Sequence, residues 1–83
     1  MWYVYILKSI KTGKYYIGST TNLNRRLSEH NNGINPSTRG RGPYQIIHTE
    51  QFSTRQEAHK RELEIKSYKG GNSFKALLDR APR

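Results

Sequence analysis

Apolar positions along this chain alternate between the spacing of a strand and the spacing of a helix, and the breaks fall at turn residues. Residues 2–8, Trp-Tyr-Val-Tyr-Ile-Leu-Lys, are aromatic and β-branched and predict a strand. Thr12-Gly13 marks a turn, and residues 14–20, Lys-Tyr-Tyr-Ile-Gly-Ser-Thr, predict a second strand that closes an antiparallel hairpin. Gly18 interrupts that strand, which signals a bulge or the close approach of another group. Leu23 and Leu27 then recur at helical spacing, with Asn22 as N-cap and a stop near Asn32-Gly33. A loop rich in Gly, Pro and Arg fills 34–43, and residues 44–52 predict a third strand. Ser53, with Gln56 three positions on, is placed to cap a long helix over about 54–68, which Gly70-Gly71 should end. Asn72 or Ser73 opens a short last helix carrying Phe74, Leu77 and Leu78, and the tail from Ala81 should fray. The order ββαβαα predicts an α+β fold, a small three-stranded antiparallel sheet flanked by about three helices, in one domain over 1–83.

Size and charge narrow the class. With 83 residues and 33% hydrophobic positions the core must be thin, while six Tyr, two Phe and one Trp supply the bulk a disordered chain lacks. There is no Cys, which excludes disulfides, thiolate metal sites and cysteine nucleophiles. No apolar stretch approaches membrane-spanning length and no signal peptide is evident, so a soluble, cytoplasmic protein is expected. Fifteen Lys and Arg stand against six Asp and Glu, a formal charge of +9. Such a field on so small a domain calls for a polyanionic partner, nucleic acid first. An anionic membrane ranks second, but no basic amphipathic segment serves it.

Three groups of residues could carry chemistry. Ala58, Glu62 and Ile65 share one face of the long helix, setting a carboxylate in an apolar stripe. Such a carboxylate needs a partner, either a metal or base at a site, or a cation such as Arg61 or Lys66 at the surface. Arg26 and His30 lie four apart beside the Leu23–Leu27 stripe, where they form a phosphate-handling pair or a solvated face. Tyr3, Tyr5, Tyr15 and Tyr16 crowd the hairpin, either as cross-strand packing or as phenols arrayed at a site. The His residues do not make a zinc site, no serine triad is spaced for catalysis, and the glycines form no P-loop.

Taken in order, Tyr3-Val4-Tyr5, Tyr16-Ile17-Gly18, Thr20-x-Asn22-Leu23-x-Arg25-Arg26-Leu27-x-x-His30-Asn31 and Ala58-x-x-x-Glu62-x-x-Ile65-Lys66 resemble the core of the GIY-YIG nucleases, over about residues 2–69. Within that family the chain resembles the short stand-alone bacterial group of UPF0213 type. The resemblance implies a metal-dependent endonuclease acting on nucleic acid, DNA foremost, with a place in repair or recombination. It implies catalytic roles for Tyr5, Tyr16, Arg26, His30 and Glu62, with Glu62 as ligand of one Mg²⁺ or Mn²⁺ and Gly18 as the motif glycine. Lys8, Lys11, Lys14, Arg25, Arg39 and Arg41 are the expected contacts to the phosphate backbone.

The chain departs from the family pattern where Tyr3 replaces a leading glycine and where Ser19 replaces a lysine found in some relatives. No added DNA-binding domain is expected within residues 1–83, which puts specificity and activity of the isolated domain in question and makes a partner protein supplying specificity one candidate. The alternative is a catalytically idle nucleic-acid-binding module, and a protein–protein adaptor is a further possibility.

Overall fold

A computed structural model describes residues 1–33, 40, 42–69 and 71–79. Arg39 and Arg41, the expected helix stop at Gly70 and the tail from Ala81 lie outside the described residues. The elements follow the expected order: β1 (Trp2–Ser9), β2 (Tyr15–Thr20), α1 (Leu23–Asn31), β3 (Tyr44–Phe52), α2 (Arg55–Ser67) and α3 (Asn72–Asp79). They form an α+β fold on a three-stranded antiparallel sheet of order β2-β1-β3.

The continuous apolar run of β1 is explained by its central place. Val4, Tyr5, Ile6 and Leu7 are all buried, so neither face of the strand meets water. Alternation then divides the core in two. Val4 and Ile6 pack with Ala58, Ile65 and Phe74 on the α2–α3 side. Tyr5 and Leu7 pack with Tyr44, Tyr16, Ile46, Leu23 and Leu27 on the α1 side. Both clusters are thin, as the composition requires.

Local signals set the ends of the elements. Gly13 takes φ +76° in the hairpin turn and Gly33 takes φ +74° after α1, conformations that favour glycine. Asn22 Oδ1 accepts from Arg25 N at 3.0 Å and starts α1 as expected. The cap of α2 differs from the expectation by one residue. Thr54, not Ser53, accepts from Glu57 N at 3.2 Å, and its hydroxyl donates to the Glu57 carboxylate at 3.0 Å. Both positions carry a hydroxyl, but only Thr54 has a carboxylate three residues on, and the helix N-terminus favours that charge.

A bulge in β3 was not apparent in the sequence. Ile6 pairs with His48 and Leu7 with Ile46, leaving Ile47 as an extra residue. Ile46 therefore packs on the α1 side while Ile47 joins the α2–α3 side. Beyond the bulge, Glu50 accepts from Arg61 Nε and Nη2 at 2.7 and 3.0 Å, which ties β3 to α2. His48 Nε2 lies 2.7 Å from the same carboxylate. Burial would raise the Glu50 pKa, but the bonds from Arg61 and His48 outweigh it and hold the group below its ordinary value.

Candidate active site

The site is built around the pairing of Tyr5 on β1 with Gly18 on β2. A Cβ placed on Gly18 would lie 2.5 Å from the Tyr5 hydroxyl oxygen and 2.7 Å from Cζ. The ring of Tyr5 therefore lies across the glycine, and any side chain there would displace it. The β1–β2 register runs through without a bulge, so close approach is the reason for the glycine.

Laid flat in this way, Tyr5 reaches α1. Its hydroxyl and His30 Nε2 are 3.1 Å apart and share a buried hydrogen bond whose direction follows the imidazole tautomer. His30 is 1% exposed, so the solvated-face reading fails for this residue. Tyr16 packs beside it, with its ring centroid 4.6 Å from the imidazole and 6.4 Å from Tyr5. Tyr44 closes the far side at 6.2 Å. Asn31, next to His30, fixes α1 to β3 by accepting from Tyr44 N at 2.6 Å and donating to Tyr44 O at 3.4 Å.

Charge acts on this aromatic nest from several directions. Burial raises the Tyr5 pKa far above the ordinary phenol value; Tyr16 adds to the effect, Arg26 opposes it, and Glu62 and Glu29 reinforce it. Tyr5 is thus held as a neutral phenol. Burial also lowers the His30 pKa below the ordinary 6.5; Arg26 lowers it further and Glu29 opposes. Arg26 Nη1 meets Glu29 Oε1 at 3.3 Å, while its buried Nε has no hydrogen-bond partner among the described residues. One edge of the guanidinium is left with an unmet donor.

Glu62 comes from the other side of the edge strand. Strand alternation turns Ser19 away from Gly18 and toward α2. There the Ser19 hydroxyl donates to Glu62 Oε1 at 2.8 Å. Lys66 Nζ donates to Glu62 Oε2 at 2.6 Å. The carboxylate is mostly shielded, its side chain 13% exposed, between buried Ala58 and Ile65. Of the surface cations considered for Glu62, Lys66 is the partner, whereas Arg61 is committed to Glu50 and Glu64. Ser19 appeared in the sequence only as a departure from a pattern. Its contact with Glu62 could not be read until α2 was placed over β2.

Of the expected phosphate contacts, the described ones are Lys8, Lys11 and Lys14 at the β1–β2 hairpin and Arg25 on α1. Lys8 lies opposite Tyr15 in the hairpin, its Nζ 5.8 Å from that ring, and Lys14 lies nearby at the hairpin end, with Lys11 exposed in the turn. Arg25 stands on α1 and pairs loosely with Glu29 at 3.8 Å. No helix among the described residues is long and apolar enough to cross a membrane.

Known proteins give the same grouping. The family model described as the GIY-YIG catalytic domain matches residues 1–75. A UPF0213 protein of Natronomonas pharaonis is 41% identical over 78 residues, covering 93% of this chain and 91% of its own. A UPF0213 protein of Clostridium perfringens is 48% identical over 65 residues, covering 77% and 69%. The solution NMR structure of a UPF0213 protein from Bacillus halodurans superposes with a TM-score of 0.59 at 35% identity, over 98% of this chain and 87% of that one.

The depressed His30 pKa carries a consequence for stability. The unfolded chain takes up a proton near 6.5 while the folded chain resists it, so stability is full above that pH and falls as pH drops through the folded pKa. Thermal melts from neutral to mildly acid pH should show this loss, and His30→Gln should show a smaller slope over the same window. Equal slopes in the two proteins would mean that His30 is not held neutral.

Proposed function

Because the chain belongs to the GIY-YIG family, we propose that it is a metal-dependent endonuclease that hydrolyses phosphodiester bonds of nucleic acid, DNA foremost. The observation that carries this reading is the convergence on Gly18 and its neighbour Ser19 of two groups. One is a phenol–imidazole–guanidinium set from β1, β2 and α1. The other is a shielded carboxylate from α2. The formal charge of +9 supports a polyanionic substrate.

The donor set fits a hard divalent cation. Among the described residues there is no cluster of three or more His, Cys, Asp or Glu able to hold a metal, so a closed protein cage is not available. Mg²⁺ does not need one: it binds through one or two carboxylates and keeps water and substrate phosphate oxygens as its remaining ligands, and Mn²⁺ also prefers such oxygen donors. Glu62 would supply that carboxylate, with the Ser19 hydroxyl orienting it. Such an ion supplies Lewis-acid polarisation of the phosphate and stabilises the leaving oxygen.

The chain's own residues divide the remaining tasks. Arg26, whose side chain is 34% exposed, offers its outer guanidinium nitrogens to a phosphate oxygen and offsets the charge that develops on it. Tyr16, half-buried and in ring contact with His30, orients the attacking water. His30, kept neutral, is the group that can accept a proton from that direction. Tyr5 is a positioning residue: a buried neutral phenol is a poor base, but it fixes the imidazole.

One observation favours the alternative of an idle binding module. Both oxygens of Glu62 are already engaged, by Ser19 and by Lys66. Cleavage of labelled single-stranded, duplex and branched DNA separates the two readings. The endonuclease should cut with Mg²⁺ or Mn²⁺, stop in EDTA, and lose cleavage on Glu62→Ala while the fold persists. Salt-sensitive binding without cutting on any of these substrates would favour the idle module.

Lys66 adds a second expectation. It competes with a cation for the Glu62 carboxylate, so Lys66→Met should tighten Mn²⁺ binding about two- to five-fold by calorimetry, the size of a partly exposed ion pair. Unchanged or weaker binding would place the cation elsewhere.

A further inference from the structure

On the α2–α3 side of the sheet, beyond Glu62, lies a pocket of about 480 Å³ lined by Gly13, Lys14, Tyr15, Ile17, Ile65, Lys66, Lys69 and Phe74. Pockets for small organic groups fall in the range of roughly 300–1,000 Å³ and combine an apolar lining with a few polar groups. Here Ile17, Ile65 and Phe74 supply apolar lining, Tyr15 an aromatic wall, and three lysines the charge.

The aromatic wall is both exposed and fixed. Tyr15 is 45% exposed, while its partner Phe74 is buried. The two rings meet edge-on at 5.0 Å and 71°, so Phe74 sets the tilt of the Tyr15 ring. Lys8 adds a further cation 5.8 Å from the same ring.

The charge is held against a backbone cost. Lys69 adopts φ +51°, a left-handed conformation that glycine or asparagine takes with little strain and lysine does not. A lysine at such a position, just past α2, keeps a cation at the pocket where glycine would be easier to accommodate. Lys66 links the pocket to the candidate site, since it lines the one and holds Glu62 of the other.

We propose that this pocket is a subsite for one unpaired nucleotide of the substrate strand. Its base stacks on Tyr15 above the apolar lining, and its flanking phosphates meet Lys14 and Lys69. An aromatic face with cations around it is the pairing that binds single strands, because the faces of a base are free only outside the duplex. A paired base offers only its edges. The subsite rests on the nuclease reading for its place in catalysis, because Lys66 sets it beside the carboxylate of the cleavage site. As a binding site it stands on the pocket alone.

Binding in EDTA, where no metal-dependent chemistry runs, tests it. Fluorescence anisotropy would be measured with a labelled oligothymidylate and with a blunt-ended, loop-free duplex of matched length. Tyr15→Ala should weaken the single strand about ten-fold, the size of one base–aromatic stack, and the duplex by less than about two-fold. Tyr15→Phe should bind like the wild type. Lys69→Gly should weaken the single strand about two- to five-fold, as loss of one phosphate contact would, with no loss of thermal stability. The proposal is overturned if Tyr15→Ala and Lys69→Gly bind the single strand like the wild type, or if each weakens both probes equally. Tyr15-dependent binding without cleavage in Mg²⁺ would remove the nuclease reading and leave the subsite; cleavage with Tyr15-independent binding would do the reverse.

Discussion

The ring of Tyr5 lying flat over Gly18 is the contact on which the site depends. It requires a residue without a side chain on β2, and it carries the hydroxyl to within 3.1 Å of His30 on α1. Three elements are thereby fixed together at one buried hydrogen bond. Because that bond lies in the interior, leaving either partner unpaired costs about 1–3 kcal/mol, a large share of the stability of so small a domain. The same burial keeps the phenol and the imidazole neutral. Packing and electrostatics are here one constraint.

The sheet places unlike chemistry on its two faces. The α1 side holds aromatic rings, a neutral imidazole and a guanidinium with an unmet donor. The α2–α3 side holds a shielded carboxylate and a lysine-lined apolar pocket. β2 is the edge strand between them, and its alternation delivers Tyr16 and Gly18 to one face and Tyr15, Ile17 and Ser19 to the other. A six-residue strand therefore takes part in both halves of the site. Lys66 bridges the carboxylate to the pocket, so that a phosphate drawing this lysine away would free an oxygen of Glu62.

The sequence was most legible where a local rule acted alone. The uninterrupted apolar run of β1, the Asn22 cap, the Asn32-Gly33 stop and the order of elements follow from short-range chemistry, and the structure has them. Where two adjacent residues could serve, the pattern misplaced the cap by one, choosing Ser53 over Thr54. The bulge at Ile47 was missed because the adjacent Ile46-Ile47, which breaks the alternation, reads equally as a strand buried on both faces. Of the tyrosines, Tyr5 is core packing and also shares the buried hydrogen bond with His30 in the candidate site. Ser19 and the Lys-lined pocket depend on contacts between β2, α2 and α3, which no spacing along one element can reveal.

The division between the two site tyrosines is the claim most open to direct measurement. Metal-dependent cleavage rates would be compared for the wild type, Tyr16→Phe and Tyr5→Phe, with folding checked by circular dichroism. If Tyr16 orients the attacking water and Tyr5 only fixes His30, Tyr16→Phe should lose nearly all cleavage. Tyr5→Phe should keep a measurable rate with an altered pH profile. Full loss on Tyr5→Phe with cleavage retained in Tyr16→Phe would contradict that division, and wild-type cleavage unaffected by either change would remove both residues from the site.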